Sequence, residues 1–449
     1  MPKSEKIFIA QDGLHTQSLQ QALNETAAQS IRLVLGPGVH LSGALRLPSG
    51  TDLHLSDEAV LQFVSDYDAY RDNRVGVIAE SSDTAMILAE DASDIRIGGK
   101  GLILGPGPDY IVGRLEDMGT HVPAALRPRV LVLKGCQGVR LEDFRIQSSP
   151  MWTIHLIACR DVMTERLSID NDREMPNTDG IVIDSCEGVV IRHCDIATAD
   201  DGVVLKTSAG PDGSPVGACR NITVEHCEIE SRSCALKIGT ETHGDVENIR
   251  FSDCRLPRSN RGIGLFSRDG GLIRNIEVSR IEVDTHETPD GFWGSGEAIT
   301  VNVVDRRPGR PAGRIENIVF EDISGAMEGA INLVADSRSG IANLRLTRIG
   351  LAQVDGPYRG HTYDVRPTHF DLAPSPDAAG RANAWVKDEN GKVIGLVPYP
   401  DGMPALFASN IENLSIEDVQ FSRPSPLPNG WNAEATVILE GEPVVWSAP

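Results

Sequence analysis

The 449-residue chain carries 64 Asp and Glu against 42 Lys and Arg, a net charge of -22, which argues against an extended nucleic-acid or anionic-membrane surface because phosphate binding needs clustered cations. It contains no run of about 18 apolar residues, which excludes a helical membrane span. Its length fits two or three ordinary domains or one elongated repeat domain, so the organisation has to be read from the pattern along the chain.

The start, Met1-Pro2-Lys3-Ser4-Glu5-Lys6, leads into only a short apolar run, Ile7 to Ala10. It lacks the apolar region and cleavage site of a secretory signal, so a cytoplasmic location is expected. Thr16 to Ala28 reads as a helix, with Leu19, Leu23 and Ala27 at spacing four behind an N-cap-like Thr16. Residues 1–35 are therefore expected to cap one end of the remaining chain. From Ile31 the pattern changes to short apolar strands broken by Gly, Pro, Asn and Asp, such as Gly43 to Leu47 and Thr51 to Leu55.

A repeat then emerges in the phrase Asn-apolar-x-apolar, with Asn221, Asn248 and Asn275 spaced 27 apart and Asn317 and Asn343 spaced 26 apart. A period of that length, built of short strands, signals a solenoid. Six segments align without gaps: Thr153 to Ala158, Gly180 to Ser185, Gly202 to Thr207, Ala235 to Thr240, Gly262 to Ser267 and Ala298 to Val303. Their second and fourth positions are all apolar, from Ile154 and Leu156 to Ile299 and Val301, and alternation sends these inward. The expected fold is all-β, a single-domain right-handed parallel β-helix over residues 36–425 with a column of aliphatic ladders as its core. Aromatic content of 5% suits such ladders. Insertions at 207–218, 284–297 and 351–400 are expected to form loops that wall a cleft, and the tail 426–449 to cap the far end. Cys136, Cys159, Cys186 and Cys219, and separately Cys194, Cys227 and Cys254, fall at equivalent sites of successive repeats, as buried ladder residues would. Disulfides are the competing reading.

The residue just before each aligned segment gives a mixed polar row: Trp152, Asp179, Asp201, Cys234, Arg261 and Glu297. Coils about 4.8 Å apart make Asp179 and Asp201 near neighbours, with Asp200 one residue along the chain. Crowded carboxylates raise one another's proton affinity, so one can stay protonated as a general acid while others remain ionised. Asn-Thr-Asp-Gly and Asp-Asp-Gly are also good turn sequences, and an acidic cluster can bind Ca²⁺. Val182 and Val204, however, offer no further oxygens, and no metal is expected.

These residues resemble glycoside hydrolase family 28, the polygalacturonases and rhamnogalacturonan hydrolases. The likeness runs from His40 to Leu47 and Leu53-His54-Leu55, through Arg127 to Leu131 and Ser149 to Leu156, to Asn177-Thr178-Asp179-Gly180 and Asp200-Asp201, which match its two catalytic motifs. The resemblance implies Asp200 as general acid, with Asp179 and Asp201 activating water for attack with inversion, a chemistry that needs about 6.5–9.5 Å between acid and base. It implies no cofactor and an oligosaccharide as partner. Asn177 of the first motif joins the expected substrate-binding set.

The departures are specific. Ser233-Cys234-Ala235 stands where the family usually has Gly-His-Gly, and Gly264-Leu265-Phe266 where it has the Arg-Ile-Lys that engages a galacturonate carboxylate. Lys237 and Lys206 lie in nearby outward rows and could bind a carboxylate instead; otherwise the sugar is neutral. The phrases Ala235 to Glu241 and Phe292 to Glu297 resemble a loosely defined bacterial branch of the family. His155 is a candidate for contact with sugar hydroxyls. Trp152 and Trp293 could stack on pyranose faces or simply pack. Cys234, with no His base in its row, reads as a neutral thiol. The chain is thus expected to be an inverting, exo-acting hydrolase of α-linked, pectin-derived oligosaccharides. A uronate lyase using Lys206, Lys237 or Arg261 as base, or a noncatalytic glycan-binding solenoid, is the alternative.

Overall fold

The computed structural model describes residues 4–79, 82–116, 118–210, 212–289, 293–357, 361–368 and 388–439. Its strands wind into a parallel β-helix. One sheet takes a single strand from each coil in chain order, through Arg129–Lys134, Ile154–Ile157, Ile181–Asp184, Val203–Thr207, Cys234–Thr242, Arg261–Ser267 and Ile299–Val303 to Thr436–Leu439. The register pairs Ile154 with Ile181, Ile181 with Val203, Val203 with Leu236, Leu236 with Ile263 and Ile263 with Ile299. All six are buried in one continuous core, as alternation predicts. The second sheet lines the rest of each coil. Its short paired strands, such as Glu187–Arg192 and Asp195–Thr198, merge further on into single long ones, such as Val246–Ser259.

The repeating Asn has a backbone cause. Asn221, Asn248, Asn275, Asn317, Asn343 and Asn413 all have φ between 52° and 59°, the left-handed region that Asn tolerates better than most residues. From Asn248 onward each amide nitrogen donates to the side-chain oxygen of the preceding Asn at 3.0–3.2 Å, so one residue type both makes the turn and ties it to its neighbour. Five residues past the Asn row, the next corner carries a second row of left-handed residues: Asp143, Arg166, His193, His226, Asp253, Arg280, Asp322 and Arg348. Asp143 pairs with Arg166, Asp253 with Arg280 and Asp322 with Arg348, while the rings of His193 and His226 stack at 5.1 Å.

The helix spans Thr16–Ala28, with Leu19, Ala22, Leu23, Thr26 and Ala27 buried. Its N-cap is His15 and not Thr16; the Thr16 hydroxyl instead accepts the Gly43 N–H at 2.7 Å, tying the helix to a coil. The first 35 residues also hold strands Glu5–Phe8 and Arg32–Leu35, which pair in parallel with one another and, through the latter, with Asp52–Leu55. At the other end Thr436–Leu439 pairs with Leu406–Ser409. All eight cysteines are free, buried thiols, so the disulfide reading fails. In the ladder the Cys159 and Cys186 thiols donate to carbonyls one coil back, those of Leu133 and Leu156. Among the described residues no helix is long and apolar enough to cross a membrane.

Candidate active site

Asp179 and Asp201 face outward because a glycine comes directly after each. A Cβ on Gly180 would lie 2.5 Å from the Gly202 carbonyl oxygen and 2.6 Å from Ile196, so at this corner only glycine fits against the core. The corner breaks the alternation and leaves Asp179, and likewise Asp201 before Gly202, on the outer surface. Coil-to-coil bonds align the row: Gly180 N–H donates to Asp201 O and Gly202 N–H to Cys234 O, each at 2.9 Å.

The three carboxylates meet. One oxygen from each of Asp179, Asp200 and Asp201 lies within 4.8 Å of those of the other two. Oxygens this close can share one bound water between two carboxylates. They are also close enough for a shared cation, although Lys237 already occupies one Asp201 oxygen. All three are buried, with Asp200 the most accessible at 6%.

Each acid is held differently. Asp200 accepts one backbone N–H on each oxygen, from Asn177 at 3.2 Å and Asp201 at 3.0 Å. Asp201 accepts the Lys237 ammonium at 2.7 Å and the Ser233 hydroxyl at 3.0 Å. Burial, then the Asp200 charge, raises the Asp179 carboxyl well above the usual range, with Lys206 opposing. Burial also raises Asp201, against the pull of Lys237. Asp179 and Asp201 therefore each hold a proton more tightly than an isolated aspartate would, Asp201 against the pull of its ammonium partner.

The expected binding residues divide into two groups. Asn177, at φ 58°, offers its backbone N–H to Asp200, while its side-chain oxygen accepts Arg127 at 2.9 Å; it shapes the cluster. Lys206 pairs with Glu241 at 3.0 Å and sits 4.6 Å above the Trp152 ring. Trp152 packs with Met151, Val182 and Val204, so it is a buried support for Lys206 and not an open stacking surface. His155 is fully buried behind that ring, edge-on at 4.9 Å, which removes it from contact with sugar hydroxyls. Its Nδ1 accepts Arg129 at 3.0 Å, its Nε2 lies 3.4 Å from Asp184, and burial lowers its pKa to about 4. It is a neutral core histidine.

Farther along the row, Arg261 contacts Glu297 at 3.5 Å and Asp364 at 2.6 Å. Glu297 accepts the Ser295 N–H at 2.6 Å, and burial raises its carboxyl. Arg366 pairs with Asp364 at 2.8 Å and lies over the Trp293 ring at 5.3 Å. Residues 361–368 and the described part of 284–297 thus close this end of the row. Phe292, expected in the same insertion, lies outside the described residues. Cys234 is fully buried, its thiol donates to the Leu236 carbonyl, and burial first and Asp201 second push its pKa up; it is no nucleophile. A Cβ on Gly264 would strike the Phe266 ring and would stand 2.9 Å from Cys234 sulfur. An aromatic ring therefore fills the space from which an arginine there would project, and Arg261 lies 5.0 Å above that ring.

Sequence reasoning missed Ser233, Asp364 and Arg366, and named Arg127 only as part of a matching coil. Ser233 stood in a segment singled out only for what it lacks. Asp364 joins Arg261 across 103 residues and carries no local signal.

The family model of glycosyl hydrolases family 28 matches residues 50–356. A probable polygalacturonase of Vitis vinifera is 25% identical over 305 residues, 63% of this chain and 60% of that protein. The chain spans 49% to 60% of the length of the first curated plant relatives it matches. Among solved structures, a hyperthermoactive exopolygalacturonase from Thermotoga maritima superposes with TM-score 0.66 at 21% identity, covering 79% of this chain and 88% of that one. A family 28 exopolygalacturonase from Yersinia enterocolitica does so with TM-score 0.66 at 16% identity, covering 96% and 76%. At such identities these two likenesses establish the shared fold.

Proposed function

Because the chain belongs to glycosyl hydrolases family 28, we propose that it cleaves α-linked, pectin-derived oligosaccharides, galacturonides or close relatives, by inverting, exo-acting hydrolysis. The observation that carries this reading is the three-carboxylate cluster, with oxygens within 4.8 Å on two adjacent coils. Asp200 protonates the leaving glycosidic oxygen, and Asp201, the carboxylate beside the Lys237 ammonium, takes a proton from the water that attacks the anomeric carbon from the opposite face, while Asp179 helps to orient that water. The exo mode is supported by the wall of Asp364, Arg366 and Trp293 across one end of the row, and by the exopolygalacturonases among its structural relatives. The replacement of Arg-Ile-Lys by Gly264-Leu265-Phe266 leaves galacturonide, a modified galacturonide or a neutral sugar open at the next subsite. The bases that a lyase would draw on are engaged: Lys206 by Glu241, Lys237 by Asp201 and Arg261 by Asp364.

Proton NMR of products from galacturonic, rhamnogalacturonic and neutral α-linked oligosaccharides tests the proposal. Release of a β-configured monosaccharide by the wild type, abolished in Asp200→Asn, is expected. An α-configured first product overturns inversion, internal fragments overturn the exo mode, and an unsaturated product overturns hydrolysis.

A further inference from the structure

Lys237 projects from the strand one coil past Asp201, and its ammonium lies 2.7 Å from the Asp201 carboxylate. The other Asp201 oxygen takes the Ser233 hydroxyl. Both partners flank Cys234, which replaces the histidine of the family pattern and whose thiol is turned to the Leu236 carbonyl. Lys237 is only 8% exposed and lies 5.7 Å from the Phe266 ring, the ring that closes over Gly264. The floor beyond the acids packs as one unit: the small Gly264 admits Phe266, and Lys237 runs past the ring to Asp201.

We infer that Lys237 is a positioning residue for hydrolysis, holding Asp201 as an oriented carboxylate. The inference rests on the hydrolase reading of the acid cluster. The other charged groups facing Asp201 are Asp179, Asp200, Lys206 and Arg261. Lys206 also lowers the proton affinity of Asp201, but its ammonium is paired with Glu241, and Arg261 is paired with Asp364. Lys237 is therefore the cation whose contact is made with the catalytic cluster itself. It also answers a physical need, since a carboxylate buried among two others keeps its charge only with a partner.

The test is Lys237→Met, with Lys237→Gln as a second variant that keeps a donor, one bond shorter, without the charge. The expected result is a fall in kcat of about 100-fold at neutral pH with KM held within about threefold. The acid limb of the kcat/KM profile should move to higher pH, and part of the activity should return above the new limb, because loss of the ammonium makes Asp201 easier to protonate. A large rise in KM on charged substrates with kcat and the acid limb unchanged would overturn the inference and make Lys237 a substrate anchor. A readout independent of turnover separates this from failure of the hydrolase reading: carboxyl-labelled aspartate NMR, with Asp201→Asn marking the resonance, should show Asp201 titrating at higher pH in either Lys237 variant. No movement of that resonance overturns the inference even if the wild type is active. Movement in a wild type that cleaves nothing keeps the pair and removes the hydrolase.

Discussion

Burial raises the proton affinity of Asp179, and the two ammonium groups that oppose it are paired elsewhere, Lys206 with Glu241 and Lys237 with Asp201. A folded pKa above the unfolded one means that the native state holds a proton that the unfolded chain gives up, so this group costs stability as pH rises from the unfolded value through the folded one. Asp179→Asn should therefore raise stability at neutral pH by about 0.5–2 kcal/mol while lowering kcat by about 10²–10⁴-fold. The stability gain should vanish below about pH 4, where both states are protonated. Thermal melts at the two pH values, with activity at pH 7, check this. Equal melting shifts at both would mean that the effect is packing and not charge.

At the scale of one turn, the Asn ladder separates two contributions. Asn275 has φ 57° and links Asn248 to Asn317. Asn275→Ala should cost about 1–2 kcal/mol through left-handed strain and lost hydrogen bonds, and Asn275→Gly less, since glycine keeps the turn and loses only the ladder. Urea denaturation of both variants measures the split. If alanine costs no more than glycine, backbone strain is not what selects Asn there. The same turns explain what was legible from the chain. Phrases repeating every 26 or 27 residues, with an alternating strand after each, fix coil length and inward face, and the glycine after each acid fixes the outward column. What alternation cannot show is what lies over an outward residue. His155 points away from the core as its pattern requires, but Arg129, anchored on the Val77 carbonyl at 2.9 Å, and the Trp152 ring cover it. The aligned segments place Lys237 one coil past Asp201, but alternation does not show that its ammonium turns to that carboxylate at 2.7 Å and away from substrate.

The whole molecule is a stack in which each coil touches its two neighbours, so its ends need separate protection. Leu19 and Leu23 of the helix, each 1% exposed, supply it at one end by packing on strands Arg32–Leu35 and Asp52–Leu55. Leu23→Ala should lower stability by about 2–5 kcal/mol and make the first coils exchange their amide hydrogens ahead of the rest. Mass-resolved hydrogen exchange reads the gradient. Uniform loosening along the stack would mean that the coils unfold together and the helix is no separate stopper.

The three long insertions all leave the stack at the margins of the strand face that bears Asp179 and Asp201, and the corner running from Asp143 to Arg348 carries none. That corner acts as a spine, and the opposite margins as places where length can change without altering coil spacing. Loops there can be exchanged between relatives as cassettes, altering which end of a glycan is admitted while the acids keep their distance from one another.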